Sequence, residues 1–208
     1  MSDQKPYFLG ISGGSASGKT YLLKHILERY PEEKLTLISS DNYYRSRDEL
    51  PRDPDGEINF DHPDALDLDR LAADLDRISQ GETVTIQEYT YNNPDIVPKE
   101  LHYRPSPIIL VEGLFVFYHP GISALLDLKI FVDADEHIRL SRRIRRDAAE
   151  RGYQLDEVLA YYSKYVAPMY HKFIEPYKYE CDLVLPNNQH MDRAVGVLEN
   201  HLDAVLRG

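Results

Sequence analysis

Residues 13–20 read Gly13-Gly14-Ser15-Ala16-Ser17-Gly18-Lys19-Thr20 and fit the pattern G-x-x-x-x-G-K-[ST]. This pattern works only between a strand and a helix. Glycines let successive backbone N–H groups turn inward around a phosphate, the lysine reaches the β- and γ-phosphates, and the threonine hydroxyl ligates magnesium. The helix that follows aims the positive end of its dipole at the same anion. Both neighbours are expected here. Tyr7 to Ser12 reads as a strand, and Lys19 to Tyr30 as a helix with Leu22, Leu23, Ile26 and Leu27 on one side, ended by Pro31. A plain Gly/Ser turn is the bland alternative, and it leaves that context unexplained.

The rest of the chain continues the alternation of short apolar strands with helix-length segments. Strands are expected at Leu35 to Ser39, Ile108 to Val111, Leu128 to Val132 and Leu183 to Leu185. Helices are expected at Pro63 to Ser79, Asp135 to Glu150, Leu155 to Val166 and about 192 to 206. Thr83 to Tyr89 and Val97 to Tyr103, joined by the turn Asn92-Asn93-Pro94-Asp95, read as a hairpin. The pattern predicts an α/β fold: a parallel sheet flanked by helices in the P-loop NTPase manner, with a small β-hairpin flap and a helical lid. A length of 208 residues suits one domain, 1–208, with the flap at 83–103 and lid and acceptor-side helices at about 139–165.

A formal net charge of −11 argues against nucleic acid or an anionic membrane as a general partner. A polyanion therefore needs a local basic cluster. The lone Cys181 makes no internal disulfide, and no Cys/His pattern points to zinc. No apolar run approaches the roughly 20 residues of a membrane span, and the start Met1-Ser2-Asp3-Gln4 has no apolar signal core, so a cytoplasmic protein is expected.

In parallel α/β sheets ligands bind at the carboxyl ends of strands. Asp41 follows the second strand there and can orient or deprotonate an attacking hydroxyl, and also help hold magnesium; turn former or helix cap is its plainer role. Glu112, after Ile108–Val111, occupies the position of an acid in the metal's outer shell. Asp61, in Asn59-Phe60-Asp61-His62-Pro63-Asp64, either caps the next helix or accepts hydrogen bonds from substrate hydroxyls. His62 reads as structural.

Arg139, Arg142, Arg143 and Arg146 share one helix face, with Leu140, Ile144 and Ala148 on another and Arg151 near the helix end. Bunched arginines suit a clamp on a transferring phosphoryl group. A solvated face laced by Asp135–Arg139, Arg143–Asp147 and Arg146–Glu150 pairs is the alternative, and the two can coexist.

These stretches, with Asp41-Asn42-Tyr43-Tyr44, Asn59–Leu66, Val111-Glu112-Gly113, Leu128–Asp133, Arg142–Gly152 and Phe173–Pro176, resemble the uridine kinase family of P-loop nucleoside kinases over roughly residues 7 to 200. The resemblance implies transfer of the ATP γ-phosphate to the 5′-hydroxyl of uridine or cytidine, with ATP and Mg2+ as cofactors. It implies that Asp41, Lys19 and Arg146 carry the chemistry and that residues 13–20 and Arg143 hold the nucleotide. Thr20, Asp41 and Glu112 serve the metal, and Tyr44, Phe60, Asp61, Tyr89 and Arg151 the nucleoside. A homo-oligomer, tetramer or dimer, is also implied.

The chain departs from the family where the base is read. Pro94 aligns with a histidine, Tyr153 with an arginine and Tyr161 with a glutamine. Tyr153 and Tyr161 are expected to flank the acceptor, with weak discrimination for uridine or preference for another nucleoside. In the helix from Leu155, the stripe Leu155, Val158, Leu159, Tyr162 and Val166 places Tyr162 in the core and leaves Tyr161 off it. Competing readings are a kinase for another nucleoside or a small sugar-like acceptor, and a non-catalytic ATP-binding regulator. A phosphorylated sugar acceptor is opposed by the charge of Asp61.

Overall fold

The computed structural model describes residues 5–90 and 96–208. The turn at 92–95, Pro94 included, and residues 1–4 lie outside them. Among the described residues there are seven strands: β1 (Tyr7–Ser12), β2 (Leu35–Ser39), β3 (Val84–Gln87), β4 (Glu100–Tyr103), β5 (Ile108–Glu112), β6 (Leu128–Asp133) and β7 (Leu183–Pro186). Five of them form a parallel sheet in the order β2-β5-β1-β6-β7. β1, which leads into the phosphate loop, is thereby central and flanked on both edges.

The central strands are apolar on both faces because helices cover both. Side chains alternate along a strand, so Phe8 and Leu9 enter opposite cores. Phe8, Ile109, Val111 and Phe131 pack with Leu71, Leu75 and Ile78 of α2 (Leu68–Ser79) and with Ile122 of the short α3 (Pro120–Ser123). On the other face, Leu9, Ile11, Leu110 and Val132 meet Leu22 and Ile26 of α1 (Lys19–Arg29). That core is closed by Val195, Leu198 and Leu202 of α7 (Asp192–Val205). Each fully buried side chain of this size contributes roughly 1.5–3 kcal/mol.

β3 and β4 form the expected antiparallel hairpin as a separate two-stranded sheet. Val84, Ile86 and Tyr103 are buried against the first core while Thr85 and Gln87 face solvent. Among the described residues no helix is long and apolar enough to cross a membrane.

Three expectations need correction. The segment Pro63–Ser79 is not one helix. A 3₁₀ turn, Pro63–Ala65, precedes α2, because Leu66 pairs with Tyr44 in an isolated bridge and Asp67 caps α2 by accepting the Arg70 N–H at 3.1 Å. The helix from Leu155 does not stop at Val166. It runs as α5 (Leu155–Tyr161), a π turn (Tyr162–Val166) and α6 (Ala167–Phe173). Pro168 has no N–H to give to the preceding turn, and the wider π turn takes it in without a break. Leu27 and Leu155, placed on apolar stripes by their spacing, are 41% and 53% exposed. Tyr162 is buried as the stripe requires.

On α1 the difference is measurable. Ile26→Ala should cost about 2–5 kcal/mol of unfolding free energy, and Leu27→Ala under about 1 kcal/mol. Urea midpoints at constant m-value report it, and equal losses would contradict this packing.

Candidate active site

The sheet register brings the first acids together. Glu112 is level with Ile11 on one side and with Ser39 on the other, so it stands between the phosphate loop and the turn that carries Asp41. Ser39 donates its hydroxyl proton to Glu112 Oε1 at 2.5 Å. The same Ser39 oxygen takes the Asp41 N–H at 3.3 Å, so Ser39 caps the 3₁₀ turn Ser40–Tyr43. Asp41 is therefore not the cap of that turn, and its side chain lines a cavity of about 1220 Å³.

The loop 13–20 is shaped by backbone that few residues adopt. Gly13 and Gly18 have φ of 145° and 112°. A Cβ at Gly13 would collide with the Val132 carbonyl, and one at Gly18 with the Asn187 side chain. Ala16 is left-handed too, at φ 60°. A glycine-rich loop of this shape before the N-terminus of α1 is the kind that cradles a nucleotide's phosphates with backbone N–H groups. Lys19 Nζ donates to the Gly13 and Gly14 carbonyls at 2.8 and 3.3 Å. Burial holds its pKa below the usual amine range, against the pull of Glu112 and Asp41.

Thr20, Asp41 and Glu112 line the cavity and offer hard oxygen donors, the chemistry magnesium prefers. Burial, then the charge of Asp41, pushes the Glu112 carboxyl up, so a divalent cation between them would be favourable. Among the described residues no group of three or more His, Cys, Asp or Glu could hold a metal alone. That suits an ion held by one or two carboxylates together with substrate phosphates.

The arginines come from α4 (Glu136–Arg151), and its buried residues are Arg139, Arg143 and Asp147. This inverts the solvated-face alternative: the charged stripe faces inward, and Ala148 is exposed. Of the expected ion pairs only Arg143–Asp147 forms, at 3.1 Å. Arg146 turns to Asp147 at 3.0 Å in place of Glu150, and Arg151 joins at 3.5 Å. Asp147 is thus the shared counter-charge of three cations. Arg143 Nη1 also reaches Ser15 Oγ at 3.0 Å, and Arg142 leans to the Ser17 carbonyl at 3.4 Å.

The residues expected to bind the acceptor line the same cavity. Asp61 is 8% exposed. Burial pushes its pKa up, opposed by Arg143, Arg146 and Arg151. It caps no helix: His62 caps the 3₁₀ turn by accepting the Asp64 N–H, and Asp67 caps α2. His62 also packs edge-on against Phe173, a structural role. Tyr44, Phe60, Arg151, Tyr153 and Tyr161 share the cavity with Asp61. Tyr44 donates to the Phe60 carbonyl at 3.2 Å, and its ring lies 5.1 Å from that of Tyr89. Asn42 anchors the hairpin here, accepting from Tyr89 N and donating to Tyr103 Oη, both at 3.1 Å.

Two residues escaped the sequence reading. Arg139, 3% exposed, donates to the Ala134 carbonyl and stacks 3.7 Å from the Tyr170 ring centre, with its Nη1 against Gly14. Asn187 braces the loop from beneath, donating to the Ser17 carbonyl at 2.8 Å. Arg139 was visible only as one of four arginines, and Asn187 carried no signal.

This arrangement defines a P-loop phosphotransferase fold whose phosphate loop shares one cavity with Asp41, Glu112 and Asp61. The Phosphoribulokinase / Uridine kinase family model matches residues 8–194, and the chain belongs to that family. A uridine kinase of Chloroflexus aurantiacus is 38% identical over 202 residues, 97% of each chain. One of Streptococcus agalactiae is 35% identical over 203 residues, covering 98% of this chain and 97% of its own. Among solved structures, a possible uridine kinase from Bacillus stearothermophilus superposes with a TM-score of 0.62 at 16% identity, over 88% of this chain and 90% of that one, which shows the shared fold.

Removing Asp147 leaves three cations without their shared acid. Asp147→Ala should cost about 3–5 kcal/mol, as breaking a buried pair does. Chemical denaturation measures it, and a loss under 1 kcal/mol would show that the arginines need no counter-charge here.

Proposed function

We propose that this protein transfers the γ-phosphate of ATP to the 5′-hydroxyl of a nucleoside. The observation that carries the reading is the placement of Asp61 in the same cavity as Lys19, Thr20, Asp41 and Glu112. An acid that can bind a sugar's hydroxyls faces a cradle that can bind phosphates. The relatives named uridine kinase, similar along nearly their whole length, support the same acceptor class. They and the charge of Asp61 favour an uncharged acceptor over a sugar phosphate.

In this reading residues 13–20 and Arg143 hold the ATP phosphates. Thr20, Asp41 and Glu112 hold Mg2+, which when bound neutralises charge on the β- and γ-oxygens. Asp41 takes the proton of the attacking hydroxyl as general base. Lys19 and Arg146 stabilise charge on the transferring group from fixed positions inside a water-poor site. Asp61 accepts hydrogen bonds from the ribose hydroxyls. Tyr44, Phe60, Tyr89, Tyr153 and Tyr161 flank the nucleoside, and Arg151 closes that end. From the resemblance we carry over a homo-oligomer, and from the net charge of −11 and the short apolar runs a cytoplasmic enzyme with no nucleic-acid or membrane partner.

Base selection is expected to rest on stacking more than on directed hydrogen bonds, because Tyr153 and Tyr161 stand where the family has an arginine and a glutamine. The test is ATP consumption with uridine, cytidine, adenosine, guanosine and inosine, in wild type and Asp41→Asn. At least one nucleoside should raise ATP turnover, uridine should lead the purine nucleosides by no more than about tenfold, and Asp41→Asn should lower kcat roughly 10²-fold. No stimulation by any nucleoside would overturn the reading. Strong rejection of purines would overturn only its account of the base.

A further inference from the structure

The strip from Tyr44 to Asp61 carries acceptor-side residues but contains no helix or strand, only single bridges at Tyr44–Leu66 and Arg52–Ile58. Its tip folds on itself: the Gly56 N–H meets the Asp53 carbonyl at 2.9 Å, and Asp53 Oδ1 takes the N–H groups of Asp55 and Glu57 at 2.9 Å each. Those bonds shape the tip without fixing it to the rest of the molecule. They also gather three carboxylates, which repel one another.

One helical face supplies the attachment. Lys164 Nζ lies 2.6, 3.2 and 2.7 Å from Asp53, Asp55 and Glu57. The Tyr165 hydroxyl reaches Asp53 at 2.6 Å and Glu57 at 3.0 Å. A turn earlier, Tyr161 Oη accepts the Phe60 N–H at 3.2 Å, and its ring lies tilted against that of Tyr165 with centres 4.9 Å apart. Phe60 is the residue directly before Asp61. Lys164 and Tyr165 fall within the π turn Tyr162–Val166, whose wider winding puts Tyr162 and Val166 in the core while Lys164 stays at the strip. Such turns are costly and recur at functional sites.

We propose that this face is a clamp for the acceptor: Tyr161 holds the backbone of Phe60 and so the place of the adjacent Asp61, and Lys164 with Tyr165 pins the strip's tip. All three are positioning residues, acting through the backbone of the strip. The Tyr161 hydroxyl is then spent on the protein and contributes only its ring to the acceptor. Lys164 is partly exposed, so salt weakens its hold and with it acceptor binding. The kinetic consequence rests on the nucleoside-kinase reading; the ordering of the strip does not.

Two measurements on the full-length chain test this. With uridine as acceptor, Tyr161→Phe, which keeps the ring, should raise the uridine KM about tenfold while kcat and the ATP KM stay within about threefold. In Lys164→Met, amide exchange of residues 51–61 without any acceptor should quicken about tenfold while β1 and α2 exchange as in wild type. An unchanged uridine KM in Tyr161→Phe, or loss spread equally over kcat, both KM values and Tm, would overturn the proposal. So would unchanged exchange of the strip in Lys164→Met. If wild type turns over no uridine, the proposed acceptor class has failed, and the exchange experiment alone decides on the clamp.

Discussion

Positive charge buried beside the phosphate loop is the constraint around which the structure is arranged. Arg139 and Arg143 are 3% and 8% exposed, and Lys19 is buried enough to lower its pKa. Removing such ions from water costs several kcal/mol each unless partners return it. Asp147 returns part of it to Arg143, Arg146 and Arg151. The Tyr170 ring and the Ala134 carbonyl do so for Arg139. Asp61 faces the same three arginines from the other side of the cavity.

The parallel sheet delivers the opposite charges to the same place. β1, β2 and β5 end level with one another, so the cradle, Asp41 and Glu112 arise at one rim without any long excursion. The wall that carries Asp61, the proposed acceptor side, is built differently. Asp61, Phe60 and Tyr44 lie on a strip with little backbone pairing of its own, and the hairpin joins through Asn42. A rigid donor side facing a strip held by side chains is a sensible division for a kinase. Phosphate geometry is constant, whereas acceptor choice varies by residue substitution.

What could be read from the sequence was what depends on local pattern. Gly13–Thr20, the strands that place Asp41 and Glu112, and the hairpin have their signals within a few residues of themselves. Asp61 was legible as a choice between cap and ligand, and the neighbours His62 and Asp67 take the capping. The remaining differences share a physical cause. The arginine stripe reads as a clamp or a solvated face, and only the tertiary placement of α4 against the loop decides for the inward face. The helix from Leu155 reads as ending at Val166, and packing carries it on through a π turn to Phe173. Asn187 acts on Ser17 from 170 residues away, a contact that no local spacing records.

Phosphoryl transfer by the phosphate loop and its lysine is open to a direct measurement: nucleoside-dependent ATP turnover of Lys19→Ala, alongside circular dichroism and thermal unfolding. Turnover should fall roughly 10²-fold or more, with an unchanged spectrum and a midpoint within a few degrees of wild type. Turnover within a few-fold of wild type in a folded variant would contradict it.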